Sequence, residues 1–291
     1  MATKTWVGTD TGNEGDWSVA ANWSPSGVPE AADDVYLENS AQGVILGLDQ
    51  SAIALASFNK AQTFTGAIGT SSAYLQISAT AFNIGYHNGP GSPAGSSLVK
   101  LDIGATAATV TIDNSGTPTT STVPAILLKA NNASTNIRIR KGSVGIAFYT
   151  GETTTVGIID VGYKNSINSD VDLFLGSGVT MTTLDQTGGE IVQACGATTV
   201  SSSAGTLITT GSGAITTLNA KGGTVTSNST GTITNLNITG GIADFLKSSA
   251  ARTVTNLKLE AGGKLKYNPD DLTITNKVDS DYPVILTATA A

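Results

Sequence analysis

Cleavage of a polysaccharide needs two carboxylates on one face, usually with an Arg or Lys beside them. Three acidic pairs invite that chemistry: Asp33-Asp34, Asp270-Asp271 and Asp279/Asp281. Adjacent strand residues point to opposite faces, so Asp33 and Asp34 do not share a cleft. Asp270-Asp271 follows Asn268-Pro269 and reads as a turn. The loop Asp10-Thr-Gly-Asn-Glu-Gly-Asp16 crowds oxygen ligands in a way that loosely suggests Ca²⁺. Its spacing fits no EF-hand, and Gly12 stands where a ligand is wanted, so a solvated Gly/Asp turn is the preferred reading. Cys195 is the lone cysteine and His87 the lone histidine. Cys195 sits at an apolar strand end, Ile191-Val-Gln-Ala-Cys-Gly196, and reads as a small buried hydrophobe rather than a nucleophile. A Ser/His/Asp triad or a zinc site lacks parts, and no Gly-rich phosphate loop with its Lys is present. Four Asn-X-Ser/Thr triplets, at Asn22, Asn132, Asn228 and Asn237, are what a Thr/Ser/Asn-rich chain produces by chance. No catalytic, cofactor-binding or metal residue is assigned, and the expected class is not an enzyme.

The net charge is −7 and the sequence pI about 4.6. Nucleic acid is an unsuitable partner for such a chain, because phosphate contacts need clustered Lys and Arg. The one basic cluster, Arg138, Arg140 and Lys141, alternates with Ile137 and Ile139 and reads as one exposed strand face. One cysteine allows no intramolecular disulfide. Met1-Ala-Thr-Lys-Thr-Trp6 has no apolar core segment, which predicts no secretory signal and synthesis in a cytoplasm. No run approaches the ~20 apolar residues of a membrane helix.

The elements that would position any site are strands. Charged residues are 13% of the 291 and aromatics 5%, whereas Gly numbers 34 and Thr 43. Thr is β-branched and suits a pleated strand, and Gly supplies the corners. A 40% hydrophobic content spread at short intervals argues for a packed core rather than disorder. Four segments align: Met181–Ile191, Ile215–Val225, Ile233–Ala243 and Val254–Leu265. Each reads apolar, Thr, Thr or Asn, Leu, a variable stretch, then Gly-Gly. The leucines are Leu184, Leu218, Leu236 and Leu257, separated by 34, 18 and 21, and Val200 falls where a weaker copy belongs. A period near 18 is too short for a propeller blade or helical pair and suits one coil of a β-solenoid. Inward residues would stack coil on coil, with Thr and Asn as outward ladders. Leu98–Gly104, Val156–Gly162 and Val171–Gly176 are short apolar strands ending at Gly, and loops are expected at 86–97 and 114–122.

All three tryptophans, Trp6, Trp17 and Trp23, lie before position 45, as a cap over an open solenoid end would require. The predicted organisation is a Trp-rich cap or anchoring segment over 1–45, a β-solenoid over 46–268 (clearest at 181–265) and a C-terminal strand tail over 269–291. The predicted fold is all-β, a right-handed parallel β-helix or related β-solenoid.

The segment Gly15-Asp-Trp-Ser-Val-Ala-Ala-Asn-Trp-Ser24, then Val28-Pro29 and Asp33-Asp-Val35, resembles the N-terminal pattern of bacterial surface and autotransporter-like β-helix proteins. Trp17, Asn22, Trp23, Pro29, Asp33 and Asp34 hold the matching places, all near the start of the chain. The texture of the remainder is similar to phage virion proteins built as trimeric β-helices. The resemblance implies a virion surface protein, capsid decoration or head-fibre-like, made in the host cytoplasm and assembling as a homotrimer. Its partners would be the major capsid protein or another virion protein, with a host-surface glycan as a further candidate and neither nucleic acid nor membrane expected. The alternatives are a bacterial surface or secreted adhesin or glycan-binding β-helix, and a tail-spike-like polysaccharide depolymerase.

Overall fold

The computed structural model describes residues 2–86, 98–116, 122–162, 171–260, 262–279 and 284–287. The fold is all-β, a parallel β-helix. The one helical turn among the described residues is the 3₁₀ segment Ala20–Asn22. Among them no helix is long and apolar enough to cross a membrane. The chain divides into two compact units, Met1–Ile146 with Thr154–Val156, and Ala147–Thr153 with Gly157–Ala291.

In the first unit one sheet is laid down rung by rung by Thr3–Trp6, Asp34–Leu37, Asp49–Ala61, Leu75–Tyr86, Thr109–Ile112 and Asn136–Ile139, all parallel. A second sheet grows from single bridges Val44↔Ile68 and Ile68↔Val99 into Val99–Asp102, Ile126–Lys129 and Gly142–Ile146. Val35, Phe58, Phe82, Val110 and Ile137 occupy one inward row and are all buried. The Phe58 and Phe82 rings lie 5.9 Å apart along it. The next inward row reads Leu37, Lys60, Ile84, Ile112, Ile139, so a lysine stands in an aliphatic stack.

From Thr183 onward the described residues of the second unit have two strands per coil, and the short strand Val179–Thr180 precedes them. One sheet stacks Ile158–Val161, Thr183–Gln186, Ala197–Ser202, Ile215–Ala220, Ile233–Ile238, Arg252–Leu259 and Leu272–Asp279. The other stacks Val171–Leu175, Glu190–Gln193, Thr206–Thr209, Thr224–Ser227, Ile242–Asp244, Lys264–Tyr267 and Val284–Thr287. The predicted leucine row forms as read: Leu184, Val200, Leu218, Leu236 and Leu257 are in direct register, each at most 1% exposed. Burying one such side chain contributes roughly 1.5–3 kcal/mol. Val200 is indeed the missing copy between Leu184 and Leu218. The row ends at Lys277, in register with Leu257.

The Gly-Gly motif has a double cause. Gly189, Gly205 and Gly223 have φ of 75°, 83° and 65°, a region costly for other residues. They also stack: a Cβ on Gly205 would lie 2.2 Å from the Gly189 carbonyl oxygen, and one on Gly223 2.4 Å from that of Gly205. Outward Asn side chains bond from coil to coil, Asn237 to Asn219, Asn256 to Asn235 and Asn276 to Asn256, each Nδ2 donating to Oδ1 at 2.9 Å. A slipped register would break every one of these bonds at once.

Candidate functional site

The sequence places its densest chemistry near the N-terminus, and there the structure builds a knot. Thr3–Trp6 pairs antiparallel with Trp23–Ser24, setting Trp6 opposite Trp23. The Trp6 and Trp23 rings meet edge to face at 5.0 Å, and Trp17 and Trp23 at 4.6 Å. Trp23 Nε1 donates to the Trp17 carbonyl at 2.8 Å and Trp6 Nε1 to the Gln42 carbonyl at 2.9 Å. Asn22, fully buried, ties the preceding loop to this core. Its Oδ1 accepts from Asp10 N at 2.9 Å, and its Nδ2 donates to the carbonyls of Asn13 at 2.6 Å and Asp16 at 2.9 Å. The Asn-Trp pair therefore combines an amide that satisfies loop backbone with an indole that fills the core. Trp17 Nε1 is buried and finds no hydrogen-bond partner among the described residues. The recess beside it, lined by Trp17, Pro29, Gln50, Ile53 and Leu55, is too tight for a water molecule.

The Asp10–Asp16 loop turns its oxygens to protein donors. Asp10 accepts from Asn13 Nδ2 at 3.0 Å, Glu14 from Gly12 N at 3.0 Å, and Asp16 from Ser18 N at 2.9 Å. The amide of Gly12 holds the Glu14 carboxyl below its ordinary pKa. Asp33 and Asp34 diverge as strand geometry requires. Asp33 is buried and accepts from Ala2 N at 2.7 Å and Glu30 N at 3.0 Å. Burial pushes its pKa up, but the Glu30 and Ala2 amides and the Lys4 charge together outweigh it and hold the carboxyl below the usual range. That is an anchor kept ionised, not a proton donor. Asp34 accepts from the Ser57 hydroxyl one coil away.

Of the other acidic pairs, Asp279/Asp281 falls partly outside the described residues. Asp270 and Asp271 lie in a turn closed by Asn268, whose Oδ1 accepts from Asp270 N at 3.1 Å and whose Nδ2 donates to Asp271 at 3.0 Å. Asp281 and His87 lie outside the described residues, as do most of the loops expected at 86–97 and 114–122. Cys195 is buried, and burial pushes its thiol up to about 12. Arg140 points outward and pairs with Asp113 at 3.7 Å on the neighbouring rung. Among the described residues no group of three His, Cys, Asp or Glu is placed to hold a metal.

Register assembles what residue spacing hides. Asp160 and Asp185, far apart in sequence, are directly in register on one outward face. Beyond them that face is uncharged for three rungs, carrying Thr198, Thr199, Ser201, Thr216, Thr217, Asn219, Thr234, Asn235 and Asn237, until Lys258. On the opposite sheet of the same unit the outward rows read Asp172, Glu190, Thr206, Thr224, Ile242, Lys264 and Phe174, Val192, Ile208, Thr226, Asp244, Lys266. Phe174 also meets Phe148 edge to face at 5.9 Å, and Phe148 meets the exposed Tyr149 at 5.3 Å. Only strand-pairing knowledge would have revealed these rows.

A stacked β-helix with flat, ladder-bearing faces is the class that fold and surface define. No family model, curated protein or solved structure matches the chain.

Proposed function

We propose that the chain is a non-enzymatic structural protein of a phage virion, a capsid decoration or head-fibre protein. The N-terminal knot would be its anchoring region and the stacked coils its display surface. The observation that carries the reading is where the polar side chains are spent. Asn22, Asp33, the Asn235–Asn256–Asn276 ladder and Gln186, which donates to the Gly189 and Thr206 carbonyls at 3.0 Å, all bond within the scaffold. Such side chains stiffen a stack of coils and leave flat faces for adhesion. The N-terminal Trp17, Asn22 and Trp23 pattern supports a surface role. Mass spectrometry of purified virions, with copy number per particle, tests it. A stoichiometric copy number supports decoration, and absence from virions overturns it.

A second reading, a tail-spike-like depolymerase, draws on Asp160 and Asp185. Neighbouring rungs are ~4.8 Å apart, near the ~5–5.5 Å carboxyl separation of retaining glycosidases. Release of reducing ends from host polysaccharide, lost in Asp185→Asn, would establish it.

A further inference from the structure

Six coils of the Gly157–Ala291 unit set two columns of uncharged polar side chains beside each other on one outward face. The outer column is threonine throughout: Thr182, Thr198, Thr216, Thr234, Thr255 and Thr275, one per rung. The next column reads Thr183, Thr199, Thr217, Asn235, Asn256 and Asn276, in direct register. All of these residues are exposed or half-buried. The asparagines and the threonines are used differently. Asn235 donates to the Thr216 carbonyl at 3.3 Å, and Asn256 and Asn276 each donate to the asparagine one rung before. The threonine hydroxyls of the two columns bond no other group among the described residues. Elsewhere in the unit such hydroxyls close onto the scaffold, Thr187 onto the Val161 and Gly162 carbonyls and Thr210 onto that of Gln193.

We propose that this face binds ice. Its occupant must be uncharged, since neither column carries a formal charge. In the third column Asp185 and Lys258 stand four rungs apart, with Ser201, Asn219 and Asn237 between them. The occupant must also repeat with the rungs, which recur every ~4.8 Å. Water in a tetrahedral network lies ~2.75 Å from its neighbours, which puts second neighbours ~4.5 Å apart. The two repeats differ by ~0.3 Å, so hydroxyls on four successive rungs keep within ~1 Å of lattice oxygen positions. Threonine suits such a contact. Its hydroxyl donates and accepts as a lattice water does, and its methyl restricts the orientation of first-shell water. Its stiff χ1 leaves little freedom to lose on contact. Neither column holds an aromatic ring to pack against a sugar or a cation to meet phosphate.

One hydroxyl contributes little, because it exchanges one hydrogen bond to water for another. The array must act together, and its centre matters most. Six rungs at ~4.8 Å make it about 24 Å long. The proposal is independent of the virion reading.

Ice growth in a solution of the full chain tests it, read as thermal hysteresis in a nanolitre osmometer and as inhibition of recrystallisation. The wild type should hold the freezing point below the melting point and keep ice grains small. Thr216→Lys places a charge at the centre of the array and should remove most of both effects. Thr216→Ser keeps the hydroxyl and should lose less. Thr224→Lys, outward on the opposite sheet, should leave both unchanged. All three should keep the circular dichroism of the wild type. A folded wild type without effect on ice, an equal loss in Thr224→Lys, or retention on crystalline cellulose with no effect on ice overturns the proposal.

Discussion

Replacing Lys60 with Met should stabilise the protein at pH 7 and lose that advantage in alkali. Lys60 stands in the aliphatic row between Leu37 and Ile84 and is 8% exposed. Its Nζ donates to the Phe64 carbonyl at 3.1 Å and sits 5.7 Å from the Phe64 ring centre. Among the described residues no carboxylate forms an ion pair with it, and burial pulls its pKa from 10.5 to about 8. A lysine held below its ordinary pKa is a cation the folded state disfavours. Below pH ~8 it is charged in both states and the full cost stands. Between pH ~8 and ~10.5 the unfolded chain binds more protons than the folded one, so stability rises with pH. The gap corresponds to about 3 kcal/mol. Met keeps the length and apolar stem without the charge. Guanidinium unfolding followed by tryptophan emission is the assay, since all three tryptophans lie in the same unit as Lys60. The expected result is a Met variant about 3 kcal/mol more stable at pH 7, with the difference shrinking towards zero near pH 10.5. Equal stability at pH 7, or a difference independent of pH, would refute the reasoning.

Asn22→Ala removes three part-buried hydrogen bonds made by a buried side chain and should cost about 2–4 kcal/mol, read as an earlier tryptophan-emission midpoint. Arg252 is buried and donates to the carbonyls of Ala250 at 2.9 Å, Ser227 at 2.6 Å and Phe245 at 2.8 Å, and to that of Ser248. Arg252→Met should orphan these carbonyls, cost roughly 2–3 kcal/mol and open the Phe245–Ala250 loop to limited proteolysis. Cys195, buried with its thiol near 12, should resist a disulfide reagent at pH 8 in the native protein and react at once in denaturant; fast native labelling would contradict its placement.

The repeats in the second unit were legible because each coil must supply an apolar residue to the same inward row, and Leu or Val recurs at nearly fixed spacing. Upstream the inward row passes through Val35, Phe58, Phe82, Val110 and Ile137, on coils that are longer and unequal, so neither residue type nor interval repeats. Lys60 defeated pattern reading altogether, since a lysine within a strand is expected outside. Around Trp17 and Trp23 the motif was visible, but its cause was not. Asn22 is needed for the backbone groups of Asp10, Asn13 and Asp16, which no periodicity encodes. Acidic neighbours along the chain are not the only ones a solenoid brings together. In a solenoid the neighbours of Asp160 and Asp172 are set by coil length, and they are Asp185 and Glu190.

Rung-to-rung pairing tolerates very different coil lengths. The coil from Ile191 to Leu207 is far shorter than the coil from Phe82 to Val110, yet both pairs remain in register. Length added at a corner becomes girth rather than height. Each stack thus keeps two dimensions on separate controls: the number of rungs sets how far it reaches, and the corners can be lengthened, shortened or redecorated without moving any rung above or below. Peptide insertions at a corner whose backbone bonds no neighbouring coil should therefore be carried as side branches on an unaltered stack.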